Sequence, residues 1–334
     1  MKDRLDKVNK WSPLASLVLV IILCIYGAIT IPYFFKASYL VGLLKNYTPM
    51  ILVSVGMSVV IIGGGIDLAI GTIASLVNVI VMLCSVQYGM SIWLSMLIGI
   101  GVGLMCGIIN GSIIAFARLN PLISSFAFSW ITGGIALWMV PDANKYDLAT
   151  DMVNFYKGSV IGIPVPVILI VISVVVWEII MKMNAGVGVY ALGNNMKNAY
   201  TTGISIEKAR ILSYAFSGFC AAMAGIAMTG AMGGGYASIG DGYTVKAIAA
   251  CVIGGIALTG GKGSVIGGVT GGVFIGLLAA LVISSPIDPL KQGFVTNLII
   301  LISILIPSMI AAYKNSQFRM NVNDRFFNKK KGER

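Results

Sequence analysis

Asp67 is the first candidate in this sequence for a chemical role. It is the only acidic residue between Asp6 and Asp142, and it follows the three glycines at 63–65. Three successive glycines predict a break in the surrounding helix. An ionisable side chain in an apolar run is expensive to bury, so we expect the carboxylate to have a role. We favour a structural role, in which it accepts backbone N–H bonds at residues 71–72, over direct contact with a solute or ion.

The sequence contains no recognisable metal site and no catalytic group. There is no histidine, which removes the commonest metal ligand and general base. The five cysteines all lie in apolar stretches without a Cys-x-x-Cys pair, so each is expected to be a small buried hydrophobe. The Gly-Lys pair at 261–262 does not complete a nucleotide-binding loop, because Ile256 stands where glycine is required.

Residues 120–130 combine hydroxyl and aromatic side chains inside an apolar run. The candidates in this stretch are Ser125, Phe126, Ser129 and Trp130. Serine hydroxyls can hold neighbouring helices together in a membrane. Hydroxyls beside aromatic rings are also what a polar, uncharged solute such as a sugar would meet. Both interpretations stay open at this point.

A third group of candidates lies in the polar segment 184–209. Its central part, 193–203, is too rich in glycine, asparagine and threonine to be a membrane segment. We predict a short helix over residues 196–202, with Asn195 as its N-cap and Gly203 as its C-terminal stop. Such a helix would form a compact projection.

The elements that must position these residues are membrane helices. Of the 334 residues, 57% are hydrophobic and 10% are charged, and the mean hydropathy is +0.93. Soluble domains carry about 25% charged residues, so a soluble enzyme, a disordered chain and a secreted disulfide scaffold are excluded. The predicted fold class is an all-α polytopic membrane protein with about ten transmembrane helices, some of them broken. The ten apolar runs lie at 14–35, 46–62, 72–86, 91–117, 121–141, 164–183, 210–232, 245–260, 264–283 and 294–313.

The basic residues predict the orientation. If both termini are cytoplasmic, 17 of the 23 lysines and arginines lie inside and six lie outside. That imbalance obeys the positive-inside rule and accounts for the net charge of +11 without nucleic acid. We therefore expect a cytoplasmic segment at 1–13, a transmembrane domain at 14–313 and a basic cytoplasmic tail at 314–334. Within the domain, 142–160 is expected to be an extracytoplasmic loop and 184–209 a cytoplasmic one.

The 41 glycines are partly periodic. They recur every four residues from 99 to 111, and two further ladders lie between 263 and 276. On helices, such stripes predict close contact between backbones. Residues 64–71 also match residues 254–261 at Gly-Gly-Ile-x-Leu-x-x-Gly, which indicates an internal repeat.

Four segments together resemble the permease subunits of ABC importers for simple sugars, the ribose, xylose, galactose and autoinducer-2 group. They are GMSVVIIGGGIDLAIG at 56–71, NPLISSF at 120–126, VYALGNNMKNAYTTGIS at 189–205 and DGYTVKAIAACVIGGIALTGGKGSVIGG at 241–268. The resemblance covers nearly the whole chain. It implies a multi-pass protein of the bacterial cell membrane that is not an enzyme, has no cofactor of its own and forms the translocation path for a monosaccharide or similar small polar solute.

The resemblance also implies three partners. These are a cytoplasmic ATPase that binds the ATP, an extracytoplasmic sugar-binding protein, and a second permease subunit, identical or related. In the family a short coupling helix docks on the ATPase, and here it maps to residues 193–205. The residues implied for this contact are Gly193, Asn195, Met196, Lys197, Asn198, Ala199, Tyr200 and Gly203. Many relatives have Glu-Ala-Ala where this chain has Met-Lys-Asn at 196–198, and we expect Tyr200 to be the anchor.

The main alternative is a stand-alone secondary transporter or channel for a small polar solute. It is disfavoured because the apolar runs hold no strong array of charges, which argues against built-in proton or sodium coupling. The segment 184–209 would also have no task in such a protein. An intramembrane enzyme would need a constellation of His, Asp, Glu or Ser side chains, which this sequence does not offer.

Overall fold

The computed structural model describes residues 14–142 and 146–305, and this part of the chain is mostly helical. The helices are α1 (Leu14–Thr30), α2 (Ala37–Ile62), α3 (Ile70–Val86), α4 (Ile92–Phe116), α5 (Pro121–Met139), α6 (Thr150–Lys157), α7 (Val165–Lys182), α8 (Asn184–Asn194), α9 (Met196–Thr201), α10 (Ile206–Met232), α11 (Tyr243–Ile253), α12 (Val265–Ile283) and α13 (Pro289–Leu305). A two-stranded antiparallel hairpin, β1 (Ser159–Val160) and β2 (Ile163–Pro164), precedes α7.

Six of the described helices, α2, α4, α5, α7, α10 and α12, are long and apolar enough to cross a membrane. Four more, α1, α3, α11 and α13, are apolar but shorter. The predicted polytopic helical membrane protein is therefore confirmed, and within the described residues each of the ten apolar runs overlaps one of these helices. The number of spans and the orientation stay predictions. The predicted terminal segments 1–13 and 314–334 lie outside the described residues.

The described residues fall into two units. Residues up to Ser285 form one compact unit, in which α2 is buried from Thr48 to Ile62 and α10 is buried along most of its length. The second unit begins at Pro286, and its described part holds α13. The carboxylate of Asp288 accepts a hydrogen bond from the backbone N–H of Leu290 at 2.9 Å, which stabilises the start of that helix.

Polar caps begin four of the long helices. The side chains of Ser91, Asn120, Ser205 and Ser264 each accept a hydrogen bond from a backbone N–H in the first turn of α4, α5, α10 and α12. Helix α5 also has Pro121 at its first position, where no N–H is needed. These caps matter because lipid offers no partner for the free N–H groups of a helix end.

The glycine ladder of α4 packs against α10, as predicted. A methyl group on Gly103 would lie 2.6 Å from the carbonyl oxygen of Gly218, and one on Gly107 would overlap the carbonyl oxygen of Tyr214. The ladders of α12 serve two neighbours. Gly267 and Gly271 pack against α11, whereas Gly268, Gly272 and Gly276 pack against α2.

Helices α2 and α11 end in the same backbone conformation. Gly63 and Gly254 cap the two helices with φ values of −72° and −68°. The next glycines, Gly64 and Gly255, are left-handed, with φ values of +77° and +79°. By conformation Gly63 corresponds to Gly254, whereas the sequence match pairs Gly64 with Gly254, and the internal repeat stays a prediction.

The two long loops predicted from polarity contain regular structure. Helix α6 and strand β1 lie within 142–160, while α8, α9 and the first residues of α10 lie within 184–209. Helix α6 is tied to the beginning of α2, since the Tyr156 hydroxyl donates to the Lys45 carbonyl at 2.7 Å and the Lys45 ammonium donates to the Lys157 carbonyl at 2.8 Å.

Candidate functional site

Asp67 lies in the break between α2 and α3, and its side chain is completely buried. Its Oδ1 accepts the backbone N–H of Ala69 at 3.0 Å, and its Oδ2 accepts the hydroxyl of Ser217 at 2.7 Å. The Asn110 amide nitrogen lies 3.5 Å from Oδ1, and the Oδ1 of Asn110 has no partner among the described residues. These partners are neutral, so the carboxylate holds α4 and α10 to the break through hydrogen bonds alone.

The expected cap at Gly71 is supplied by another residue than Asp67. The backbone N–H of Gly71 donates to the Thr244 hydroxyl of α11 at 3.3 Å. The Thr72 hydroxyl donates to the carbonyl of Ala69 at 3.0 Å and contacts the Thr132 hydroxyl at 2.8 Å. Asp67 therefore accepts a backbone N–H two residues earlier than predicted, in the turn that leads into α3.

Ser125 is bound to the same break. Its hydroxyl accepts the backbone N–H of Leu68 at 3.1 Å and lies 2.7 Å from the carbonyl of Pro121, one turn earlier in α5. The carbonyl of Ile66 is also within 3.1 Å of it. The side chain is fully buried. For Ser125, the geometry favours the helix-packing interpretation.

The other three candidates of α5, Phe126, Ser129 and Trp130, line a cavity of about 540 Å³. The two rings meet edge to face with their centroids 6.2 Å apart, and both are more than half exposed. The remaining lining residues are Leu68, Thr72, Gly133, Gly134, Leu137, Ala237, Ser238, Asp241, Thr244 and Val245. The cavity thus combines an aromatic wall with hydroxyls and one carboxylate.

Residues 233–242 contribute one side of this cavity, and α3 holds them in place. The Asn78 amide donates to the Gly234 carbonyl at 2.9 Å, and its oxygen accepts the backbone N–H of Tyr236 at 2.8 Å. The Ser75 hydroxyl accepts the backbone N–H of Gly240 at 2.8 Å. These bonds satisfy backbone groups of a segment without helix or strand, which fixes its path.

Asp241 is a cavity residue that sequence reasoning missed. It is the only acidic residue between Glu207 and Asp288, which is the signal that could have drawn attention to it. Partial burial raises the pKa of Asp241, and a hydrogen bond from Ser238 opposes that rise. No lysine or arginine within 14–142 or 146–305 forms an ion pair with its carboxylate.

The predicted short helix is present as α9. The Asn195 side chain accepts the backbone N–H of Asn198 at 3.1 Å, and Gly203 is left-handed with φ +78°, so both the cap and the stop are confirmed. Tyr200 is 72% exposed and Met196 is 50% exposed. Lys197 is also exposed, whereas Ala199 is buried beneath the helix.

Gly193 connects this projection to the helix break between α2 and α3 and to a second break, the segment between α11 and α12. The backbone N–H of Gly261 donates to the carbonyl of Ile62 at 2.8 Å, and a methyl group on Gly193 would overlap that carbonyl. A methyl group on Gly260 would lie 2.8 Å from the Gly193 carbonyl oxygen and 2.9 Å from the Gly64 Cα. We call residues 62–64, 193–194 and 260–261 the glycine junction, because their backbones pack together and leave no room for a side chain at Gly193, Gly260 or Gly261.

Comparison with known proteins places these features in a family. Residues 39–304 match the family described as branched-chain amino acid transport system / permease component. The chain belongs to this permease family. No solved structure gives a significant match.

Individual relatives agree with that placement. The permease is 34% identical to the D-allose transport system permease of Escherichia coli, with 71% of the permease and 73% of the relative covered. It is 31% identical to the ribose import permease of Bacillus subtilis, with 74% and 76% covered. A fructose import permease of Bifidobacterium longum is 30% identical, with 76% and 74% covered. The resemblance to sugar-importer permeases is confirmed, and the permease is a multi-pass transport protein.

Proposed function

We propose that this permease forms half of the translocation path of an ABC importer for a neutral monosaccharide in the bacterial inner membrane. The relatives named for allose, ribose and fructose support a sugar as the solute. The observation that carries the proposal is the cavity beside α5, because it offers aromatic rings and hydroxyls together. This chain would need no cofactor, since a separate ATPase would bind and hydrolyse the ATP.

The open side of the cavity supports a second permease subunit. Ser238 and Asp241 are exposed and polar, and Ser129 is half-buried. Lipid cannot satisfy such groups within the membrane, so protein or water must cover them. A second copy of the chain, or a related permease, would close the cavity into a path between two subunits.

The projection at α9 is the proposed docking element for the ATPase. Its exposed residues, Met196, Lys197, Asn198 and Tyr200, would contact the ATPase, while Ala199 and Gly193 hold the projection to the permease. Because the glycine junction joins these segments through backbone atoms, a displacement of α9 would be passed directly to the end of α2 and to the segment between α11 and α12.

The arrangement of the breaks and loops supports the proposed orientation. The glycine junction lies at the end of α2, whereas α6 is tied to the beginning of α2 near Lys45. With α9 in the cytoplasm, α6 and the hairpin would lie outside, where a sugar-binding protein would deliver the solute. Ten spans with both termini in the cytoplasm fit this arrangement and the distribution of basic residues.

Reconstitution tests the proposal. Purified permease would be placed in liposomes with an ABC ATPase and a sugar-binding protein from the same organism, and uptake of labelled D-allose, D-ribose and D-fructose would be measured with and without ATP. We expect at least one of these sugars to be taken up, and this uptake should require ATP, the ATPase and the binding protein. Uptake by the permease alone without ATP would instead support a stand-alone transporter, and uptake of none of the sugars would contradict the proposal.

A further inference from the structure

Asp241 is the one ionisable residue among the described residues that line the cavity. The other polar groups there are the hydroxyls of Thr72, Ser129, Ser238 and Thr244. The carboxylate is exposed to the cavity side of the 233–242 segment and has no basic partner within the described ranges. A single charge in an otherwise neutral cavity dominates the local electrostatic potential.

The fold does not require this carboxylate. Asp67 shows what a structural carboxylate does in this protein, since it is buried and binds a backbone N–H and a hydroxyl. The 233–242 segment is instead held by Asn78 and Ser75, which bind its backbone. An ionised carboxylate has about four acceptor positions, so a hydrogen bond from Ser238 leaves most of the acceptor capacity of Asp241 free.

We propose that Asp241 and the Phe126–Trp130 ring pair form the solute-contact site of the path. The carboxylate accepts hydrogen bonds from two hydroxyls of the solute, and the aromatic rings cover the apolar C–H face of its ring. The inference rests on the proposed function and names the residues that carry out its recognition step. The cavity of about 540 Å³ lies within the usual range for small-molecule sites, about 300–1,000 Å³.

The charge also defines the class of solute. A carboxylate attracts hydroxyl donors through charge-assisted hydrogen bonds, which are stronger than those between neutral groups. It repels a carboxylate or phosphate on the solute. The site therefore favours neutral polyhydroxylated rings and disfavours sugar acids and sugar phosphates, whichever solutes the binding protein delivers.

Cysteine labelling of the cavity tests this without depending on the affinity of the binding protein. In Ser129→Cys, reconstituted with the ATPase, the thiol would be reacted with a cationic and an anionic methanethiosulfonate reagent. Of the native cysteines, Cys24 is half-buried and the other four are buried, so the unmodified chain provides the background rate. We expect the cationic reagent to react about ten-fold faster relative to its rate with a free thiol.

D-ribose, D-allose and D-fructose would then be added as protecting solutes. We expect at least one of them to slow the labelling. Asp241→Asn should abolish the preference for the cationic reagent and raise the half-protecting sugar concentration about ten-fold, as for loss of a charge-assisted hydrogen bond. Asp241→Glu should restore the preference for the cationic reagent. Trp130→Leu should weaken protection but keep that preference, and Asp147→Asn, an exposed carboxylate outside the cavity lining, should change neither.

The outcomes separate the inference from the proposed function. If the importer takes up a sugar but Asp241→Asn keeps both the charge preference and the protection of the parent, the inference is wrong and the proposed function stands. The same holds if the transported sugar does not protect Ser129→Cys. If the importer takes up none of the sugars and none of them protects the thiol, both are wrong.

Discussion

Adding one methyl group to Gly107 should separate two central helices. In Gly107→Ala, the new carbon would overlap the carbonyl oxygen of Tyr214 and lie 3.0 Å from the Cα of Ala215. Both are backbone atoms of α10, so no side-chain rotation can relieve the overlap. Gly101 on the same helix provides the matched control, because a methyl group there meets nothing within 4 Å.

Gly107→Ala should lower the free energy of unfolding, whereas Gly101→Ala should leave it unchanged or raise it. Carbon atoms pack at about 3.5–4.0 Å, so α4 and α10 must move apart by roughly half an ångström or more at Gly107. Overpacking of this kind costs about 1–3 kcal/mol. Gly101→Ala adds no overlap and gains up to about 1 kcal/mol from the better helix propensity of alanine.

The free energy of unfolding would be measured by SDS titration of the purified permease in mixed micelles. We expect Gly107→Ala to unfold about 1–3 kcal/mol more easily than the parent and Gly101→Ala to be equal or more stable. If Gly107→Ala cannot be purified, Gly111→Ala provides a milder case at the same contact, since its methyl would lie 2.9 Å from the Cβ of Tyr214 and 3.0 Å from the Cα of Ile211, both in α10. Equal stability of the Gly107 and Gly101 variants would refute the assignment of the ladder to the α4–α10 contact.

The other predictions concern the break, the projection and the cavity wall. Asp67→Ala should lower the amount of inserted permease, because it leaves the buried donors of Ala69 and Ser217 unpaired, at a cost of about 1–3 kcal/mol each. Uptake per inserted molecule should change little. Normal insertion with lost uptake would contradict the structural role. Asp67→Asn, which keeps an acceptor, should restore part of the insertion. Tyr200→Ala should leave insertion normal but weaken ATPase binding by about 2 kcal/mol, measured by co-purification and titration. Tyr88 is also exposed, and Tyr88→Ala should leave ATPase binding unchanged. Equal binding by both variants would show that Tyr200 is not the anchor. Asn78→Leu should make residues 233–242 more susceptible to cleavage in limited proteolysis, because the segment loses its hydrogen bonds to the Asn78 amide. An unchanged cleavage pattern would show that other contacts hold the segment.

The local features of the site could be predicted from the sequence. The α9 helix is set by Asn195 and Gly203, whose effects act within one turn, so polarity and capping rules were sufficient. The helix break at 63–65 could also be predicted, because three successive glycines have a low helix propensity.

The cavity wall could not be predicted, for a physical reason. The 233–242 segment takes its shape from hydrogen bonds to Asn78 and Ser75, which are 158 and 165 residues away from their partners in the chain. No local pattern in a glycine-rich loop specifies such contacts. The same long-range packing makes Ser125 a link to the helix break and leaves its neighbours Phe126 and Ser129 at the cavity, a distinction that sequence spacing did not reveal.

The glycine junction also constrains how such a permease can evolve. Its contacts are made by backbone atoms, so almost any substitution at Gly193 or Gly261 would force the packed backbone segments of the junction apart. The exposed face of α9 carries no such restriction, since the side chains of Lys197 and Tyr200 are exposed. If α9 docks the ATPase as proposed, selection can change which ATPase the permease recognises through surface substitutions alone. The linkage between that surface and the helix breaks would be inherited unchanged.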